Sequence, residues 1–358
     1  MPRCGATTFT NDSSSSFLVV VLGFFFEDDD EDYLDRRFMT LNLMFHDNCF
    51  DGTSSAAVFL RFYRDKVNPK ADVNLIGMAH QAGEQFHDAL FAAEESAIVD
   101  FKYASSDRLT WWFDHHHSAF LTPEDEKHFR QDHSGKKFYD PSYKSCTKFL
   151  ATIARERFGF DCPELSELVH WADIIDGAMY RDAKTAVEVG EPAQKLAAVI
   201  EASNEPDFRH GIIRQLARQP LNVVATQQEV LSRYEPIARR HGENIRVIRD
   251  ASRLDQGVLF FDLTGTGLEG YNKFIPYYLH PEAKYTVSLM QSPKRMKVSV
   301  GWNPWTKAQR KHNLAAICER YGGGGHPVVA AISFEAGAVE RARKAAEEIT
   351  EELRRGES

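Results

Sequence analysis

Four segments of the sequence place acids and imidazoles where they can do metal chemistry. HDNCFDG (46–52) carries His46, Asp47 and Asp51; IVDF (98–101) carries Asp100; WWFDHHH (111–117) carries Asp114, His115, His116 and His117. WADIIDG (171–177) carries Asp173 and Asp176, whose spacing puts them on neighbouring positions of one helix face. A donor set of carboxylates and imidazoles without a thiolate majority suits octahedral ions such as Mn²⁺ or Mg²⁺ better than a closed zinc site. Two such ions sharing a bridging carboxylate would activate a water and neutralise a phosphoryl oxygen, which is the logic of metal phosphoesterases. A fifth segment, YGGGGHP (321–327), raises His326 on Gly323, Gly324 and Gly325. Glycines there let the backbone approach an anion closely.

The elements around these segments predict how they are held. FMTLNLMF (38–45), VNLIGMA (73–79), SAIVDF (96–101) and LTWWFD (109–114) are short apolar runs that read as buried strands, and GTSSAAVFLRFYRDK (52–66) has helical spacing. Strands alternating with helices imply a parallel sheet, and ligands of such sheets bind beyond the carboxyl ends of the strands. Three of the strands end in acid or histidine there. Helices are predicted over 142–160 and 163–179, and residues 191–243 read as mostly helical. From Asn244 strand patterns return in NIRVIRD, GVLFFDL, KYTVSLM and KRMKVSVGW, followed by helices at 307–320 and 338–355.

This organisation is an α/β protein with an N-terminal extension (1–37), a catalytic domain (38–205), a helical connector (206–243) and a smaller α/β C-terminal domain (244–358). Its length of 358 residues suits two lobes, with the site expected in the cleft between them. A net charge of −9 argues against gripping long duplexes through phosphate neutralisation, and favours a small substrate captured in a cleft. The five cysteines are scattered without a CxxC pair, so neither a disulfide framework nor a zinc ribbon is indicated and a reducing cytoplasm is the expected setting. The apolar run Phe17–Phe26 is too short to span a bilayer and is followed by EDDDED (27–32), so no membrane association is expected.

Taken together, the ordered segments resemble the DHH-family phosphoesterases, the group of nanoRNases and RecJ-like exonucleases named for an Asp-His-His seen here as Asp114-His115-His116. HDNCFDG is similar to the first family motif, Asp100 to the second, the DHH tripeptide to the third, WADIIDG to the fourth, and YGGGGHP to the signature of the first subtype of DHH-associated C-terminal domain. The resemblance implies two manganese ions, or magnesium, between two lobes. His46, Asp51, Asp100, His115 and Asp173 would be metal ligands, Asp100 bridging, while Asp114 and His116 orient or contact the scissile phosphate. Arg295, Gly323, Gly324, Gly325 and His326 would bind substrate. The implied activity is hydrolysis of short single-stranded oligonucleotides or linear dinucleotides to nucleoside monophosphates, with a homodimer allowed. The alternatives are a phosphatase for small phosphorylated compounds and a non-catalytic nucleotide-binding protein.

One departure from the family pattern is visible. Many members carry two acids at D-x-D spacing in the first motif, and here Cys49 stands two positions before Asp51. Either Cys49 is a softer ligand, or one ion is held with more water, or Asp47 reaches in. In the fourth motif Asp173 is preferred over Asp176. His117, outside the tripeptide, reads as an ordinary loop residue, Trp111 and Trp112 as core, and Tyr271, Tyr277 and Tyr278 as candidates for stacking a base.

Overall fold

The computed structural model describes residues 39–80, 85–268 and 270–355, so the expectations for the N-terminal extension lie outside the described residues. The apolar runs form a first sheet of five parallel strands: β1 (Thr40–His46), β2 (Asp72–Met78), β3 (Glu95–Val99), β4 (Trp111–Asp114) and β5 (Lys137–Tyr139). Their order is β2-β1-β3-β4-β5. From β1 the chain moves one way to β2, then crosses back past β1 to β3. The carboxyl ends of β1 and β3 therefore flank the topological switch point where open parallel sheets bind ligands.

Strand alternation explains the double tryptophan. Trp111 and Phe113 face one core, with Leu41, Leu43 and Phe45 of β1, while Trp112 faces the other with Met44. Both indole N–H groups are satisfied, by Glu95 Oε2 at 3.0 Å and by the Phe101 carbonyl at 2.9 Å. Helix α1 (Phe50–Lys66) is buried on nearly all sides from Phe50 to Tyr63, because α2 (Cys146–Phe158), α3 (Ser166–Asp176) and α4 (Pro206–Leu216) pack over it. Phe208, Ile212, Leu216, Leu221, Val224 and Val230 belong to this same first core. Residues 206–230, read from sequence as connector, are thus integral to the first layer.

The crossing to the second sheet is made by α5 (Gln228–Ala251). Its last two turns correct the strand reading of NIRVIRD (244–250): buried Asn244 and Ile248 sit at i, i+4, a helical repeat that the β-branched residues disguised. The second sheet has six strands, β6 (Ser252–Asp255), β7 (Val258–Asp262), β8 (Tyr285–Gln291), β9 (Arg295–Trp302), β10 (Gly324–His326) and β11 (Val329–Glu335). The order is β10-β11-β9-β8-β7-β6, with only the β7–β8 pair parallel. Helices α6 (Leu314–Glu319) and α7 (Val339–Arg355) cover one face through Leu314, Ile317, Ala346 and Ile349. The other face packs Leu259 and Phe261 against Val187, Ile248 and Tyr277. The helix predicted over 307–320 is confined to Leu314–Glu319. Among the described residues, no helix is long and apolar enough to cross a membrane.

Candidate metal centre

Each acid and imidazole of the rim is placed by backbone it does not choose freely. His46 ends β1, and the first turn of α1 folds back so tightly that a Cβ on Gly52 would lie 2.1 Å from the His46 carbonyl oxygen. Only glycine fits there. The turn carries Asp51 into the rim, where its two oxygens accept the Cys146 and Thr147 amides at 2.7 and 3.0 Å. These are first-turn amides of α2, unpaired within the helix and electropositive, so they fix a buried carboxylate in one orientation. Asp100 follows β3 in the left-handed region, φ 56°, a conformation that non-glycine residues adopt at a cost and that clusters at functional sites.

The DHH tripeptide divides its labour. Asp114 Oδ1 accepts the amides of His115 and His116 and binds His116 Nδ1 at 2.7 Å. His116 is thereby oriented with Nε2 left for another partner. His115 Nδ1 lies 3.2 Å from the Tyr143 carbonyl. A carbonyl only accepts, so Nδ1 carries a hydrogen and Nε2 is the atom left facing the rim. That Nε2 stands 3.5 Å from Asp100 Oδ1, 3.7 Å from Asp51 Oδ2 and 3.5 Å from Asp176 Oδ2. His46 Nδ1 is 3.5 Å from Asp100 Oδ2. None of His46 Nδ1, His115 Nε2 and both Asp100 oxygens makes a hydrogen bond, although all are buried. Buried polar atoms are rarely left so.

Such a cluster fits divalent cations. Three overlapping groups have ligand atoms within 4.8 Å of one another: His46, Cys49 and Asp100; Asp100, His115 and His116; and Asp51, His115 and Asp176. Asp100 shared between groups is the position a bridging carboxylate needs. Without a cation the groups shift one another's ionisation. Burial, then Asp100 and Asp176, drives the Asp51 carboxyl well above its ordinary range. Burial and Asp100 raise Asp176 to about 6. Burial opposes ionisation of Asp100, yet His115, His46 and His116 around it hold it at about 2. Burial likewise opposes the charged form of His115, but Asp100, Asp51 and Asp176 outweigh it and lift the imidazole to about 9.

The structure brings His46, Asp51, Asp100, His115 and His116 together and corrects the choice within the fourth motif. Asp176, not Asp173, faces His115; Asp173 accepts from Ser145 Oγ at 3.2 Å, behind the Asp51 anchor. The two acids differ by about 60° around α3, which decides between them only once the helix is docked. Asp47 does not reach in. Its carboxylate makes a two-toothed pair with Arg209 of α4, at 2.5 and 2.6 Å, and a Cβ on Gly77 would strike it at 2.6 Å. His80, missed in the sequence although it closely follows β2, stacks on Phe101 at 4.7 Å and lies 4.9 Å from the His46 ring.

The substrate residues proposed from the C-terminal segment are not one site. Arg295 pairs in register with Glu335, whereas Gly324–His326 pair with Val329–Ala331 opposite Ser299–Gly301. The six residue steps of β9 from Arg295 to Gly301 span about 20 Å, so Arg295 and His326 cannot hold one phosphate. Among the described residues, no hydrogen bond, ion pair or ring contact joins either to the metal cluster. Arg310 lies beside the glycine segment and donates to the Pro327 carbonyl. Gly323 and Gly325 are required by packing, since a Cβ would meet the Ala331 oxygen at 2.4 Å and the Val329 oxygen at 2.5 Å. Gly324 has open space. Tyr277 is buried and bonded to Thr286, and partly buried Tyr271 donates to Ser288, so neither ring is a free stacking face.

No protein-family model matches the sequence, and no curated protein matches it significantly. Among solved structures the chain is similar to the pGpG-specific phosphodiesterase PggH from Vibrio cholerae, with a TM-score of 0.64 and 17% identity over 88% of this chain and 99% of that one. A DHH domain described as belonging to a family of ribosomal proteins gives a TM-score of 0.51 and 14% identity over 88% of this chain and 87% of that one.

Proposed function

From the premise that this chain has the fold of the DHH superfamily, we propose that it is a metal-dependent phosphodiesterase that hydrolyses short oligonucleotides or dinucleotides to nucleoside monophosphates. One observation carries the reading: at the switch point of the first sheet, buried Asp100, His46 Nδ1 and His115 Nε2 converge with no hydrogen-bond partner of their own. His46, Asp51, Asp100, His115 and Asp176 would hold two divalent ions, Mn²⁺ or Mg²⁺. Bound there, the ions supply Lewis acidity to a phosphoryl oxygen and acidify water.

The protein groups do the rest. Asp51, locked by the amides at the start of α2, cannot swing away when the site empties. The Tyr143 carbonyl keeps the His115 proton on Nδ1, so Nε2 stays a donor of electrons. Asp114 holds His116 by its Nδ1–H, leaving Nε2 to meet the scissile phosphate or protonate the departing oxygen. A dinucleotide is the preferred size, since the net charge of −9 disfavours long polyanions and the fold is shared with a phosphodiesterase specific for pGpG.

The test is turnover of pGpG and of a short RNA labelled at one end, with Mn²⁺ or Mg²⁺ supplied. Mononucleotide products are expected, and Asp114→Ala or His115→Ala should abolish them. Undiminished turnover in either variant, or release of inorganic phosphate alone, would overturn the reading in favour of another activity.

A further inference from the structure

We infer that Cys49 is a metal ligand and that the two ion positions of the proposed centre differ in chemistry, one bearing a thiolate and the other only carboxylate and imidazole. The inference rests on the metal-dependent reading above and concerns what this chain has done to it. Cys49 is the N-cap of α1, with extended backbone, φ −125° and ψ 136°, and no capping bond from its side chain. The thiol is therefore not there to cap the helix. Its Sγ instead belongs to the group formed with His46 and Asp100, all within 4.8 Å. Two members of that group are otherwise unexplained: His46 Nδ1 and both Asp100 oxygens are buried without hydrogen bonds.

The other residue able to supply an acid in this loop is committed elsewhere. Asp47 is bound by Arg209 through both oxygens, and the same guanidinium donates to the Ser203 carbonyl at 2.6 Å. Arg209 is 3% exposed, so releasing Asp47 would strand a buried cation. The first ion position thus has one imidazole, one thiol and the shared Asp100. The second has Asp51, His115 and Asp176, with Asp100 Oδ1 3.5 Å from His115 Nε2, and no sulfur.

Soft thiolate donors favour Zn²⁺ and other late first-row ions over Mn²⁺ and Mg²⁺, while carboxylate donors favour the harder ions. Coordination converts the Cys49 thiol to a thiolate and releases its proton to solvent. The expected loaded state is therefore a mixed pair, a thiophilic divalent ion at His46–Cys49–Asp100 and Mn²⁺ or Mg²⁺ at the all-oxygen-and-nitrogen position.

Cobalt reports this directly. The full chain, stripped of metal, is titrated with Co²⁺ while absorbance and bound-ion stoichiometry are followed. The wild type is expected to develop a near-ultraviolet thiolate-to-cobalt charge-transfer band that saturates with one thiolate per chain. Cys49→Ser should lose that band, and Cys49→Asp should lose it while binding two ions and shifting the preference for Mn²⁺ over Zn²⁺ by at least ~10-fold, the scale on which changes around a metal alter affinity. Cys146→Ser should keep the band, because Cys146 Sγ is turned to the Phe113 carbonyl at 3.3 Å. Two bound Co²⁺ ions without the band, or a band that survives in Cys49→Ser, overturns the inference and leaves the phosphodiesterase reading standing. Less than one ion per chain overturns both.

Discussion

The loop at 46–52 and the loop at 321–327 both rely on glycine and both carry a histidine, but they use these residues differently. In the first, Gly52 exists so that a helix can begin against the His46 carbonyl, and the Asp51 carboxylate it delivers is buried and held by backbone amides. In the second, Gly323 and Gly325 exist so that β10 can lie close on β11, and the His326 side chain is exposed with no hydrogen-bond partner among the described residues. A centre that must bind multivalent cations needs donors fixed beforehand, since reorganisation would weaken affinity. A surface only proposed to meet substrate can be left to backbone and solvent. The difference teaches which substitutions should act on chemistry and which on binding.

The largest effect is expected at the shared carboxylate. Asp100→Asn should lower both metal occupancy and turnover by more than roughly 100-fold, beyond what outer partners of a metal site cost; calorimetry with Mn²⁺ and single-turnover assays measure the two separately. Asp176→Asn should follow it closely, whereas Asp173→Asn should cost less than roughly 10-fold, the low end of the range for groups behind a metal site; equal losses would reverse the assignment drawn from α3.

Next comes the brace under the first loop. Arg209→Met leaves Asp47 unpaired and should destabilise the protein by about 3 kcal/mol, as breaking a buried pair does, together with weakened metal binding. Asp47→Asn added to it should recover part of the stability in denaturant titrations.

Acid–base linkage sharpens the contrast further. In the metal-free protein Asp51 and Asp176 are raised above the ordinary 3.8. As pH climbs from there towards 6 the unfolded chain releases protons that the fold retains, so stability falls. His115, raised from 6.5 to about 9, contributes stability below 6.5 that is lost as pH rises to 9. Asp100, at about 2, works in the opposite sense and matters only as pH drops below its ordinary 3.8. The melting temperature of chelated protein should therefore decline from about pH 4 to 9, and Mn²⁺ should raise it most at the alkaline end. A melting temperature flat across that range would count against the cluster as the dominant charge arrangement.

The smallest effects belong to the second loop. Gly325→Ala, with φ at 146° and no room for Cβ, should cost about 1–3 kcal/mol locally and raise KM several-fold with kcat nearly kept. Arg295→Ala, exposed at the far end of β9, should change activity less than about twofold and stability within about 0.5 kcal/mol. A kcat loss in the glycine variant as large as that of Asp100→Asn would erase the distinction between the two loops.

How much of this was legible in the sequence follows from where each residue's position is decided. His46, Asp100 and the DHH tripeptide were readable because parallel strands deliver whatever follows them to one rim. The order of the first sheet was not, since β5 is only Lys137–Tyr139 and half-buried, too short for a pattern. Asp176 and Asp173 share a helix face, so their choice awaited the docking of α3 against His115. The Arg209–Asp47 brace joins positions 162 residues apart and leaves no local trace. Arg295 and His326 each look plausible alone, and only the strand register separates them.

The indole of Trp112 donates to the carbonyl of Phe101, the residue directly after Asp100. That bond makes the protein its own optical gauge. Any shift of the Asp100 backbone when cations arrive changes the field around a fully buried fluorophore, and a paramagnetic ion at the rim shortens its excited-state lifetime. Loading of the proposed centre would then register in the emission of Trp112, one of five tryptophans in the chain, with no substrate and no chemistry required to read it.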